Sequence, residues 1–292
     1  MDIIINLPDD IFPGQPARPK SIIFHDFTAP PGAFKGKSIL HQNAISLVIS
    51  GEKTMHFAEK TVRIRDDEFH FLSAGNCLVS MNLSAKKTFR SILVFFDPKI
   101  LTGFYIKYAA RIDRIRSSKN GLSDPSPYLA FKKDPFTRNF IDSLSLLIQA
   151  NNTLSPEISL VKFEELMLYL LEKYPSQILS FQTSKNRHPD DPAIRKAVEN
   201  NITNNISIEE LAFLCNISLS TFKRRFIKLY GMPPNEWFLA QKMKMAKDLL
   251  YHEKPGEVYH KVGYESHSSF SQAFKKTFGK TPKEFQSQIL ND

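Results

Sequence analysis

In the first third of the chain apolar and polar positions alternate in short runs, at 21–27, 44–49, 54–58, 61–64, 68–72, 76–82 and 90–96. A period of two turns one side of an extended chain toward a core and the other toward water, so each run predicts a strand. Strands this short and closely spaced predict a small antiparallel barrel or sandwich. Ser50-Gly51-Glu52 predicts a hairpin turn, because glycine reaches positive φ without a clash. Asp66-Asp67 and Ala74-Gly75-Asn76 read the same way.

Past Asp97-Pro98 the period changes. Apolar residues recur at helical steps through 100–110, 136–149 and 159–174. Over 163–171 they cover most of a helix circumference, so this helix asks for burial on more than one side, against its own sheet or against a second subunit. Pro175 closes it. Segment 181–192 is polar and proline-bearing, as linkers are, and predicts a boundary near Ser184. From Pro192 onward the pattern is helical, with Pro233, Pro234, Pro255 and Pro282 as further boundaries. The expected fold is an α+β N-terminal domain over 1–183, with a small antiparallel, cupin-like β-barrel over about 21–97 and helices over about 98–175. An all-α domain over 184–292 follows.

Two segments of the C-terminal half share one form. Ser207 stands three residues before Glu210, a capping-box spacing that opens a short helix with Leu211, Ala212 and Leu214 inward. After a turn at Cys215-Asn216-Ile217, a second helix sets Phe222, Phe226 and Leu229 on one face and Ser220, Thr221, Lys223, Arg224 and Lys228 on the other. In the later segment Val258 and Val262 face inward, Gly263 suits a left-handed cap, and Phe270, Phe274 and Phe278 make the next stripe. Phe222, Phe226 and Gly231 are answered by Phe270, Phe274 and Gly279 at the same spacing. The simplest reading is two helix-turn-helix units in series, over about 207–230 and about 256–278, joined by a helix over about 234–251. A helix locked by an apolar stripe, with a polar basic face outward, is what entry into a major groove requires. An ordinary surface helix shows the same division once; its repetition favours the first reading.

Charge then locates the partner. The chain carries 39 Lys plus Arg against 30 Asp plus Glu, a net +9. Residues 218–283 hold 13 basic and 5 acidic side chains, so +8 of that excess is local. A concentrated positive field suits nucleic acid. Cys77 and Cys215 stand far apart among apolar neighbours, which predicts buried thiols rather than a disulfide or metal pair. The start of the chain lacks the basic, apolar and small-residue regions of a signal peptide, and no run of about 18 apolar residues occurs, so the cytoplasm is expected. His41, His56 and His70 invite comparison with metal-holding barrels, but no His-X-His pair or suitably spaced Glu supports ligation. No phosphate loop, nucleophile elbow or metalloprotease motif is present, so no enzyme and no cofactor are expected.

The C-terminal module resembles that of AraC/XylS-type transcription regulators. The pattern is matched by Leu211-Ala212, Ser218, Ser220, Phe222, Arg224, Phe226 and Gly231, then Pro234, Trp237, Ala246 and Leu249-Leu250. It continues in Val262-Gly263-Tyr264, Ser268, Phe270, Phe274-Lys275-Lys276, Phe278-Gly279 and Thr281-Pro282. Such regulators usually carry Arg where Lys242 stands and a small residue where Tyr259 stands. The resemblance implies a DNA-binding transcription regulator, more often an activator, whose N-terminal domain answers to a small effector, a partner protein or dimerisation. Double-stranded DNA, RNA polymerase and a second copy of the chain are the implied partners, with no membrane. Arg224, Lys223 and Thr221 are expected at base edges, Ser220 and Lys228 nearer phosphate. In the second unit His267, Ser268 and Gln272 are expected to read bases, while Lys275, Lys276 and Lys280 fit phosphate. The helix over 159–174 is a candidate subunit contact or simply domain core. The alternative from another class is a cupin-like metalloenzyme domain fused to a DNA-binding tail.

Overall fold

A computed structural model of the chain describes residues 4–11, 22–29, 32–58, 60–83, 88–118, 123–124, 126–151, 154–181 and 191–289. The expected linker boundary near Ser184 lies outside the described residues. The chain divides into two compact units, residues 1–56 with 62–187 and residues 57–61 with 188–292.

The first unit carries strands β1 (Ile4–Leu7), β2 (Ile22–Thr28), β3 (Gly32–Leu40), β4 (Asn43–Ser50), β5 (Lys53–His56), β6 (Thr61–Ile64), β7 (Glu68–Leu72), β8 (Gly75–Leu83), β9 (Arg90–Phe96) and β10 (Tyr128–Lys132). Its helices are α1 (Pro98–Lys107), α2 (Ala109–Ser118), α3 (Pro135–Asn151), α4 (Pro156–Lys173) and α5 (Pro175–Leu179). The strands form two five-stranded sheets, β1-β3-β8-β5-β6 and β10-β7-β4-β9-β2, rather than one closed ladder. Pairing is antiparallel apart from β1 with β3 among the described pairs.

All seven alternating runs are strands, but the three turns between them are not hairpins. At 50–52, 66–67 and 74–75 the chain leaves one sheet and enters the other. Gly51 has φ +84, and a Cβ there would lie 2.6 Å from the Thr88 carbonyl oxygen. Glycine is required because the crossing chain brushes the backbone before β9.

One face of the second sheet sends Ile45, Leu47, Phe69, Phe71, Ile92 and Val94 into a core that the helices close with Leu101, Phe104, Phe140, Phe163, Leu166 and Leu170. Helix α4 therefore gives most of its apolar surface to its own domain, leaving Ile158, Leu160 and Val161 exposed. The other face turns toward the first sheet. There His70 is fully buried, with Nδ1 against the Tyr128 hydroxyl, and burial pushes its pKa down to about 4. The Lys53 ammonium lies 4.6 Å from the centre of the Phe89 ring, and burial pushes its pKa down to about 8.

The second unit is helical: α6 (Asp191–Glu199), α7 (Ile208–Leu214), α8 (Leu219–Tyr230), α9 (Pro234–Leu249), α10 (Pro255–Lys261), α11 (His267–Phe278) and α12 (Pro282–Ile289). It has two hydrophobic cores. One joins Ile194, Ala197 and Val198 of α6 to Leu211, Ala212, Phe222 and Phe226. The other joins Met243 and Ala246 of α9, and Leu250 just after it, to Val258, Val262, Phe270 and Phe274.

Candidate nucleic-acid interface

The sequence from Ser207 to Gly231 builds its geometry locally. Ser207 accepts the Glu210 amide at 3.1 Å while the Glu210 carboxylate takes the Ser207 amide at 2.8 Å, so two otherwise unpaired N–H groups at the start of α7 are satisfied. Helix α7 ends with Asn216 at φ +52, and the Ile217 amide reaches back to the Ala212 carbonyl at 3.1 Å. Ser218 caps α8 through the Thr221 amide at 3.2 Å, and Gly231 ends it at φ +74.

The later stretch repeats this almost step for step. Gly263 at φ +76 follows α10, and the Tyr264 amide reaches back to Tyr259 at 3.0 Å. Ser266 caps α11 through the Ser269 amide at 3.2 Å, and Gly279 ends it at φ +75. Tyr259 stands where the first unit has Ala212, yet the same turn forms. Its ring sits edge-on to His267, 6.1 Å between centroids.

Phe222, Phe226, Phe270 and Phe274 are completely buried, which fixes the opposite faces of α8 and α11 outward. Ser220, Lys223, Arg224 and Lys228 are exposed on α8; His267, Ser268, Gln272, Lys275 and Lys276 are exposed on α11. Thr221 is half-buried, and its hydroxyl accepts from Ser218 at 2.9 Å, so it sits at the rim of the first face. Lys280 lies beyond α11 with its amine on Gln288. Four basic residues run along α8, whereas those of α11 gather in its last turn.

Some positioning residues carry no local signal. Arg225 turns inward and grips Asp191 at the start of α6 at 2.8 Å, tying α6 to α8. Asn205 donates to Glu265 at 2.6 Å across a separation of 60 residues. Both cysteines are free and buried, and burial raises the Cys215 thiol to about 12.

With this geometry in place, comparison with known proteins gives two domain matches. Residues 43–181 match the ExsA N-terminal regulatory domain and residues 211–288 match a helix-turn-helix domain of the AraC type. The chain is an AraC/XylS-type transcription regulator. Its similarity to the virulence regulon transcriptional activator VirF of Yersinia enterocolitica is 22% identity over 83% of this chain and 88% of the relative. The transcriptional regulator ExsA of Pseudomonas aeruginosa is 23% identical over 82% of this chain and 84% of that one. A solved structure of ToxT from Vibrio cholerae aligns over 91% of this regulator and 98% of that chain at 15% identity with a TM-score of 0.39. These relatives are DNA-binding regulators, and nothing among them favours the enzyme alternative. Among the described residues of the regulator no helix is long and apolar enough to cross a membrane.

Proposed function

We propose that this regulator is a cytoplasmic transcription activator that sets α8 and α11 into successive major grooves of one duplex face, about 34 Å apart. The single observation that carries this reading is the repeated division of two twelve-residue helices into a buried phenylalanine face and an exposed polar, basic face, between matching serine and left-handed glycine caps. Arg224 and Lys223 take base edges in the first groove, with Thr221 at the margin and Ser220 and Lys228 toward phosphate. His267, Ser268 and Gln272 read the second groove, and Lys275, Lys276 and Lys280 hold the backbone. The free N–H groups at the starts of both helices add to the phosphate grip.

Activation, as by the transcriptional activator VirF of Yersinia enterocolitica, implies a contact with RNA polymerase. The N-terminal unit takes the regulatory part, answering to a small effector or a partner protein, and the exposed Ile158, Leu160 and Val161 edge of α4 is where a homodimer would form. The test is selection of duplexes from a random library by the full-length protein, followed by a salt titration. A defined motif with two half-sites and an affinity that falls steeply with salt are expected. Affinity independent of salt would remove DNA as the partner.

A further inference from the structure

The two helix-turn-helix units share a helix but not a core. Helix α9 gives Trp237 and Phe238 to the first cluster and Met243 and Ala246 to the second, which its C-cap Leu250 also joins. Between the first unit and the turn inside the second, a cleft of about 570 Å³ opens, bordered by Ile206, Ile227, Leu239, Lys242 and Tyr264. Where a seam is open rather than close-packed, a few specific contacts decide the angle across it.

Three such contacts converge beside one glycine. A Cβ at position 263 would stand 2.4 Å from the Thr203 carbonyl oxygen, so the turn of the second unit rests directly on the loop that leads into the first. Lys242 of α9 extends its ammonium to the Gly263 carbonyl at 3.3 Å and lies 5.6 Å from the centre of the Tyr264 ring. That carbonyl follows the end of α10, where helix carbonyls favour a cation. Two residues on, Glu265 accepts from Asn205 at 2.6 Å. Burial holds the Lys242 amine below its ordinary pKa, in keeping with a half-enclosed bridge rather than a solvated surface charge.

We propose that Lys242 is a positioning residue which, with Gly263 and the Asn205–Glu265 bond, pins the rotational phase between the two reading helices, so that the protein selects operators by half-site spacing as well as by base sequence. This role rests on the DNA-binding reading above. One added base pair turns a half-site by about 35° and moves it about 3.4 Å, so a pinned pair of helices loses its second set of contacts while a loosened pair follows.

The experiment uses the full-length protein and the duplex it enriches from a random library, rebuilt with one base pair inserted or removed between the half-sites. Wild type is expected to lose about tenfold in affinity on either change. Lys242→Met keeps the stem and removes the ammonium; it is expected to shrink that loss to about threefold or less while leaving affinity for a duplex with only the first half-site unchanged. Lys242→Arg is expected to restore discrimination, since it keeps charge and donors. Equal weakening on every spacer, or wild-type discrimination in Lys242→Met, overturns the assignment. If a thermal melt shows that Lys242→Met does not fold, Glu265→Ala decides: a reduced spacer preference supports the pin and an unchanged one overturns it. A wild-type protein that enriches no duplex sinks the DNA-binding reading itself, which no change in spacer preference would do.

Discussion

The two helix-turn-helix units have the same skeleton and different chemistry. In each, a short helix, a left-handed turn, a serine cap, two buried phenylalanines and a terminal glycine occur in the same order. Helix α9 covers the first unit through Trp237 and Phe238 as α12 covers the second through Phe285. Yet α8 carries outward cations from its middle onward, at Lys223, Arg224 and Lys228, and α11 offers His267, Ser268 and Gln272 first and its lysines only at the end. The skeleton is dictated by packing and backbone conformation, which tolerate little variation. The outer faces are free of that constraint, so one unit can read with charge and the other with neutral hydrogen bonds.

The strongest way to break this parallel is at the buried rings. Phe226→Ala and Phe274→Ala should each cost about 3–5 kcal/mol of their own core. Trp237, the single tryptophan, lies 5.7 Å from the Phe226 ring, so its fluorescence in urea reports the first core. Phe226→Ala should move that transition to much lower urea and Phe274→Ala should move it less. Equal shifts would mean that the two cores unfold as one body.

A smaller effect separates the outer faces. Arg224→Ala and Gln272→Ala should each remove about 1–3 kcal/mol of base discrimination, at a guanine for Arg224 and at an adenine for Gln272, because their paired donors and acceptors match those edges. Selected motifs that keep both positions unchanged in the variants would strike these residues from the readers.

What the sequence made visible follows from how local each feature is. The phenylalanine spacing, Ser207 with Glu210 and the glycines at 231 and 279 act within one helical turn, and they appear as the stripes, box and caps that the pattern implies. Strand β3 was hidden because Gly32, Lys35, Gly36 and Lys37 oppose strand propensity; its pairing with β8 along the full register supplies what the local sequence lacks. Strand β10 is five residues placed among helices and is held by β7. The turns were visible and their pairing was not, since φ says that a chain reverses but not which sheet it enters. Among the site-positioning contacts, Arg225 with Asp191 and Asn205 with Glu265 join residues 34 and 60 positions apart, beyond any periodicity.

The starts of the two units differ in a way that is directly testable. Helix α7 opens on a reciprocal capping box, whereas α10 opens on Lys254, whose side chain makes no cap bond. Ser207→Ala should therefore cost about 1 kcal/mol, while Lys254→Ala should change stability by less than about 0.5 kcal/mol. Thermal melts of the full chain compare them, and an equal cost for both would deny the box any special role.

The smallest expected change concerns the lysines that close α11. Lys276 is exposed in the last turn, away from the start of the helix, and on the proposed function it holds a phosphate and carries no sequence information. Each phosphate contact releases condensed counterions, and its loss lowers the slope of log affinity against log salt by about one. Lys276→Ala should flatten that slope while weakening preferred and scrambled duplexes by the same factor. Arg224→Ala, whose cation lies mid-helix among the readers, should change the preference as well. If Lys276→Ala altered the selected motif, α11 would be reading with its cations after all, and the distinction between a charged first reader and a neutral second one would fail.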